Sequence, residues 1–210
     1  MPTLYTYCLP HDTGAAPNPF WGICTLVICK PKIRLAAKVG DWVVGTGPVK
    51  SPIGNLKGRV VYAMEITQKM TMLEYDNFTK KQLPQKIPDF SASDKQLRVG
   101  DSIYDFSHNP DHPRLRKSVH CQSEIETDLG GQYALLSKHF FYFGDQALLL
   151  PKGLIDNIVI QRRGYRSHKN DPYVERFLDW LNNLNLKPNH LYGNPFSQNN
   201  LIGACIQQSC

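Results

Sequence analysis

Apolar and polar positions along this chain change over in short bursts, and most of the bursts have the period of a strand. Leu4 to Leu9 puts Tyr5 and Tyr7 on one face and Leu4, Thr6 and Cys8 on the other, which predicts a first strand. Cys24 to Cys29 is a continuous apolar run with β-branched residues, the pattern of an interior strand. Ile33 to Lys38 has room for one or two helical turns ended by Gly40, and Asp41 to Gly45 predicts the next strand. A Gly/Pro/Ser-rich loop runs from Gly47 to Gly58. Arg59 to Lys69 is the longest strand candidate, alternating from Tyr62 onward. Thr71 and Glu74 have the Thr-x-x-Glu spacing of a capping box, so a short helix is predicted to start there. Residues 79–100 are polar, contain Pro84 and Pro88, and read as loop.

In the second half, Gly100-Asp101 leads into a strand at Ser102 to Tyr104, and His108 to Lys117 reads as an irregular basic loop. Gln132 to Leu136 leads into the aromatic run Phe140 to Phe143, which favours a strand; Ala147 to Leu150 and Ile158 to Gln161 predict two more. Pro172 to Leu184 is the clearest helix, with Asp171 as its cap and Val174, Phe177, Leu178, Leu181 and Leu184 on one face. The sum is an α+β domain: a curved or barrel-like mixed β-sheet with flanking helices and a C-terminal amphipathic helix. Residues 1–184 read as one such domain. Residues 185–210 read as an irregular tail, packed on it or mobile.

Composition changes this picture little. With 210 residues, 41% hydrophobic and 20% charged, the chain can bury a sizeable core, and it contains no apolar run long enough for a membrane span. The N-terminus has no signal-like core, which reads as cytoplasmic, and by that argument the six cysteines are expected to be reduced thiols. Charge adds more. The net +6 gathers around Lys30, Lys32, Arg34 and Lys38, around Arg114, Arg116 and Lys117, and around Arg162 to Lys169. Brought together, such groups suit a phosphate backbone; left apart, they are solvated patches.

The common phosphate-loop, hydrolase and metalloprotease signatures are absent from the sequence. Cys24-x4-Cys29 lies in a predicted strand, where its odd spacing puts the two thiols on opposite faces, and Cys210 of Cys205-x4-Cys210 is the terminal residue of an irregular tail, so neither metal nor cofactor is expected. His108, His112, His120 and Cys121 form a group that could ligate metal or carry protons; the plainer alternative is a set of surface histidines. The turn-rich stretch Asp12 to Trp21 has two readings. It is a site of fixed shape, with Asp12 as hydrogen-bond acceptor or general base, Asn18 reading a base edge, and Phe20 and Trp21 stacking on it. Or it is a plug that folds Phe20 and Trp21 into the core. His139, beside the aromatic strand, is the second candidate for acid–base work, with a satisfied strand-end histidine as the alternative.

These residues resemble a known family. Asp12-Thr13-Gly14-Ala15-Ala16-Pro17-Asn18-Pro19-Phe20, Cys29-Lys30-Pro31-Lys32-Ile33-Arg34, Gly40-Asp41-Trp42 through Gly47, Gly100-Asp101-x-Ile103-Tyr104 and Ser137-x-His139-Phe140-x-Tyr142-Phe143-Gly144 are similar to the nucleotide modification associated domain family of the second type, found in bacteria and bacteriophages. The Gly-Asp-then-strand pattern more weakly resembles PUA-like folds that bind modified bases. The resemblance implies recognition of a nucleotide, with a modified base in DNA as the leading case. The implied pocket is lined by Asp12, Thr13, Asn18, Phe20, Trp21, Trp42, Thr46, His139 and Tyr142, with Lys30, Lys32 and Arg34 on phosphates. The alternative is an enzyme that modifies or removes a base, using Asp12 or His139 as general base or acid.

Overall fold

The computed structural model describes residues 1–197. The Cys205–Cys210 pair and the second half of the expected tail lie outside the described residues. In chain order the strands are β1 (Leu4–Cys8), β2 (Cys24–Leu26), β3 (Trp42–Thr46), β4 (Arg59–Glu65), β5 (Gln68–Thr71), β6 (Tyr104–Asp105), β7 (Arg114–Leu115), β8 (Tyr133–Ser137), β9 (His139–Tyr142), β10 (Leu148–Leu149), β11 (Tyr165–Arg166) and β12 (His190–Leu191). The α-helices are α1 (Pro31–Ala36), α2 (Met72–Gln82), α3 (Lys95–Arg98), α4 (Ile125–Leu129), α5 (Lys152–Ile158) and α6 (Val174–Asn183). The chain divides into two compact units. The first holds Met1–His11, Ala37–Thr67 and Ser137–Phe196; the second holds Asp12–Ala36, Gln68–Leu136 and Ser197.

The first unit is built on a seven-stranded mixed sheet in the order β11-β1-β3-β4-β9-β12, with β10 paired to the start of β4. β3 lies parallel to β1 and antiparallel to β4, and β9 continues the antiparallel run. The order is a path with two ends, so among the described residues the sheet does not close into a barrel. Because side chains alternate along each strand, the register sorts the two faces. Leu4, Trp42, Glu65 and His139 form one row across four strands, and Thr6, Val44, Ala63 and Phe141 form the next row on the same face. α5 and α6 cover that face, placing Leu154, Ile158, Val174, Phe177 and Leu181 against Leu4, Trp42, Val44 and Phe141. The predicted apolar stripe of α6 is therefore core packing. Its predicted cap is not observed. A 3₁₀ turn over His168–Tyr173 precedes the helix, and Asp171 contributes its backbone carbonyl, which accepts from the Val174 N–H.

The second unit carries the sheet β2-β8-β5, the hairpin β6-β7 and helices α1 to α4. Here the capping box is realised: the Glu74 N–H donates to Thr71 Oγ1 at 3.2 Å and the Thr71 N–H to Glu74 Oε2 at 2.7 Å. The helix it starts runs eleven residues, longer than the short one expected.

Other expectations are corrected. The long strand from Arg59 breaks at Ile66 and Thr67 into β4 and β5, and β2 ends at Leu26 rather than Cys29. Ile158 ends α5 instead of opening a strand. Residues 79–100 are not all loop; they hold the end of α2, a 3₁₀ turn at Pro84–Lys86 and α3. Residues 185–197, expected to be irregular, supply β12, which pairs parallel with β9. Cys29 and Cys121 are each disulfide-bonded, while Cys8 and Cys24 carry thiols. The expectation of reduced thiols followed the compartment. Disulfide formation follows which sulfurs the fold brings within reach, and chain spacing does not show that.

Phe177 is fully buried against Trp42, ring centroids 6.4 Å apart. Phe177→Ala should cost about 3–5 kcal/mol in denaturant unfolding, as expected for truncating a buried aromatic ring.

Candidate functional site

In the second unit, the Asp12–Trp21 loop is built inward. Asp12, Thr13, Asn18 and Phe20 are buried and Trp21 is half-buried. A bridge between Asn18 and Thr25 ties the loop to the start of β2. The anchor is Lys86, whose side chain is fully buried. Its ammonium lies 2.7–2.9 Å from four oxygens: the carbonyls of Asn18 and Ile23, Asn18 Oδ1 and Thr25 Oγ1. Asn18 Nδ2 donates to the Val99 carbonyl at 2.9 Å, and Asn18 Oδ1 also accepts from the Phe20 N–H. Both ends of the Asn18 amide are thus engaged within the loop's own scaffold. The Thr25 hydroxyl and the Tyr75 hydroxyl both donate to the Asp101 carboxylate. Burial pushes the Lys86 ammonium down to about 8, against the pull of Asp101. The same burial pushes Asp101 up, opposed by Lys86, and pushes the Cys24 thiol up to about 12.

A second polar cluster of this unit surrounds Cys29. Cys29 and Lys30 both have left-handed backbones, φ +59° and +45°, which non-glycine residues adopt at a cost of roughly 1–3 kcal/mol. Arg34, fully buried, holds this turn: its guanidinium donates to the carbonyls of Cys29, Tyr133 and Asp128. Arg34 is therefore engaged inside the unit and enters no proposal for phosphate. Lys30 is half-buried and Lys32 exposed.

In the first unit, an open cavity of about 640 Å³ lies where the Leu4–Trp42–Glu65–His139 row ends at the surface. It is lined by Trp42, Glu65, His139, Asp41, Lys38 and Asn182, among others. The Asp41 carboxylate accepts from the Thr3 and Lys38 N–H groups, each at 2.8 Å, and so fixes the entry to β3. Glu65 Oε2 lies 2.7 Å from His139 Nδ1. The carboxylate can only accept, so Nδ1 carries the proton in that pair. The His139 ring meets Trp42 edge-on, centroids 5.4 Å apart. The side chains of His139 and Glu65 are 40% and 34% exposed, enough for a ligand to reach them.

The structure thus brings Trp42 and His139 together and adds Glu65, which the sequence reading did not single out. Tyr142 belongs to the opposite face of the same sheet, since it pairs with Tyr62 while His139 pairs with Glu65. Thr46 is buried, its hydroxyl donating to the Tyr7 carbonyl. Asp12, Thr13, Asn18, Phe20 and Trp21 belong to the second unit. Glu65 carries no sequence signal, because it becomes a partner of His139 only through the β4–β9 register.

The family model described as nucleotide modification associated domain 2 matches residues 1–201. The chain belongs to that family. No curated protein and no solved structure matches it. Membership of the nucleotide modification associated domain 2 family links the chain to nucleotide modification, and among the described residues no helix is long and apolar enough to cross a membrane.

In this family member the Lys86 cluster makes a pH-dependent prediction. Lys86 binds its proton less tightly folded (about 8) than unfolded (10.5), so between these values the unfolded state holds more protons. Stability from this group therefore rises with pH across that window. Asp101 has the opposite sign: its raised folded value means its contribution falls as pH climbs above the ordinary carboxylate range. Lys86→Met should lower stability by about 3–5 kcal/mol at pH 7, by leaving Asp101 and four oxygens without their cation. Chemical denaturation from pH 7 to 10 should show the deficit widening above pH 8. A constant deficit would mean that Lys86 keeps its proton.

Proposed function

We propose that the protein binds a nucleotide and that the first-unit cavity receives its base. The observation that supports this is the Glu65–His139 pair beside Trp42. With Nδ1–H held by Glu65, His139 Nε2 is left to accept a hydrogen bond from an exocyclic amino group, as on adenine or cytosine. The volume falls in the range of small-ligand sites, roughly 300–1,000 Å³. Lys38 at the rim supplies a cation for phosphate. A modified base in DNA, turned out of the duplex, is the ligand this reading favours, since a base still stacked in a helix could not enter. Lys30 and Lys32, on the second unit, are proposed separately as phosphate contacts. The PUA-like comparison rests on the Gly-Asp-then-strand pattern alone and enters as analogy.

The same pair favours a second reading. A histidine oriented by a carboxylate is also a general base, and in an enzyme that modifies or removes a base His139 would take or give the proton. Asp12, nearly fully buried, is the other candidate from the sequence.

Titration with oligonucleotides carrying modified or unmodified adenine or cytosine, with product analysis by chromatography, separates the two. For a reader, His139→Ala should weaken binding by about 1–3 kcal/mol with no product in either protein. For an enzyme, the same change should reduce turnover about 100-fold or more while binding largely survives. Unchanged affinity and turnover in His139→Ala would remove the cavity from the function. In the same titrations, Lys30→Ala with Lys32→Ala should lower the salt slope by up to about two if both meet phosphates.

A further inference from the structure

His120 and Cys121 belong to the group that the sequence singles out and the nucleotide reading leaves unused. In the second unit they meet Cys29. Cys29 Sγ lies 3.6 Å from His120 Nε2, and His120 Nδ1 lies 2.6 Å from Asp128 Oδ2. Asp128 is fixed in turn. Its Oδ1 accepts from the Cys29 N–H at 2.8 Å, and its Oδ2 accepts from the Tyr104 hydroxyl at 2.9 Å. This is a sulfur–imidazole–carboxylate relay in which each member is oriented by the next. His120 and Asp128 are buried, whereas Cys29 and Cys121 are half-buried. Both cysteines are disulfide-bonded.

We propose that Cys29, His120 and Asp128 form a thiol–disulfide exchange site whose substrate class is a dithiol reductant. One thiolate of the dithiol attacks the sulfur joined to Cys29. The protein S–S bond breaks, and its electron pair leaves on Cys29 Sγ. The dithiol's second thiolate then attacks the mixed disulfide, closes the reductant's own disulfide and releases the protein's second sulfur as thiolate, which water protonates. Two electrons pass from dithiol to protein. His120 stabilises the leaving Cys29 thiolate through Nε2–H, and Asp128 holds the imidazole at Nδ1 and balances its charge. An adjacent imidazolium lowers a thiol's proton affinity and makes its thiolate a good leaving group and nucleophile.

Around the relay, Arg34 donates to the Cys29 carbonyl, Tyr104 donates to Asp128, and Glu124 accepts from the Cys121 N–H. Cys24, five residues away and fully buried, is an internal control for a thiol held protonated.

The test uses the full chain and iodoacetamide, read by peptide mass spectrometry. In unreduced protein, Cys29 should be recovered in a disulfide-linked peptide; recovery as an alkylated thiol overturns the proposal. After reduction with dithiothreitol, Cys29 in the folded protein should alkylate at pH 6 at least about ten times faster than in guanidinium-unfolded protein, with a rate nearly flat from pH 6 to 8. Cys24 should stay unmodified. His120→Gln should restore the ordinary rise of about tenfold per pH unit at Cys29. A wild-type profile that already rises that way, or a Cys29 that does not react in the folded protein, overturns the proposal. The wild-type profile decides the matter even if the variant fails to fold.

Discussion

The register of β1, β3, β4 and β9 is the constraint on which the first unit depends. A strand's side chains alternate with a period of two, so a slip of one residue in any of the four would turn its members of the row to the other face. With the observed register, Leu4, Trp42, Glu65 and His139 stand in line. The inner part of the row closes under α6 and the outer part opens to solvent. Trp42 sits at the change, one edge on Phe177 and the other on His139. The apolar packing that stabilises the unit and the polar pair that gives it chemistry are thus parts of one row, and the strength of the first holds the geometry of the second.

The second unit works differently. Its order comes from buried charge and polar groups rather than from apolar strands alone. Lys86 gathers the loop at Asn18 and the carbonyl of Ile23, and Arg34 gathers the turn at Cys29 with the end of α4. Burying such cations is costly unless their donors find acceptors, and here the Lys86 ammonium has four oxygens and the Arg34 guanidinium three backbone carbonyls. These cations pin irregular segments that have no strand or helix to align them. Gly131 shows how closely such a segment must approach: a side chain there would collide with the Arg34 guanidinium.

What could be read from the sequence follows from what is local. The alternation at Leu4–Leu9, the stripe of α6 and the Thr71–Glu74 box are each contained within a few residues, and each is found in the structure. The two Gly-Asp pairs were legible as strand announcements, but their reason was not. Asp41 staples Thr3 and Lys38, while Asp101 receives Thr25 and Tyr75, contacts up to 76 residues apart. The same distance hid Glu65 from His139, and Asp128 from the relay at Cys29. Residues 79–100 looked like plain loop because one buried lysine among polar neighbours has no period. Asn18 illustrates the reverse: a fixed loop was legible, whereas the partners of its amide were set by Lys86 and Val99.

The main sheet ends on two-residue strands at both margins, β11 beside β1 and β12 beside β9. Short margins offer little backbone for a second chain to pair with. β12 comes from the last stretch of described chain, yet it covers the edge of β9, the most aromatic strand among the described residues. A break in the chain ahead of Asn189, by proteolysis or truncation, would leave the carbonyls of Phe140 and Tyr142, which accept from the Asn189 and Tyr192 N–H groups, exposed on an apolar edge. β12 therefore works as a guard on the sheet's margin, and its loss would show first as self-association rather than as unfolding.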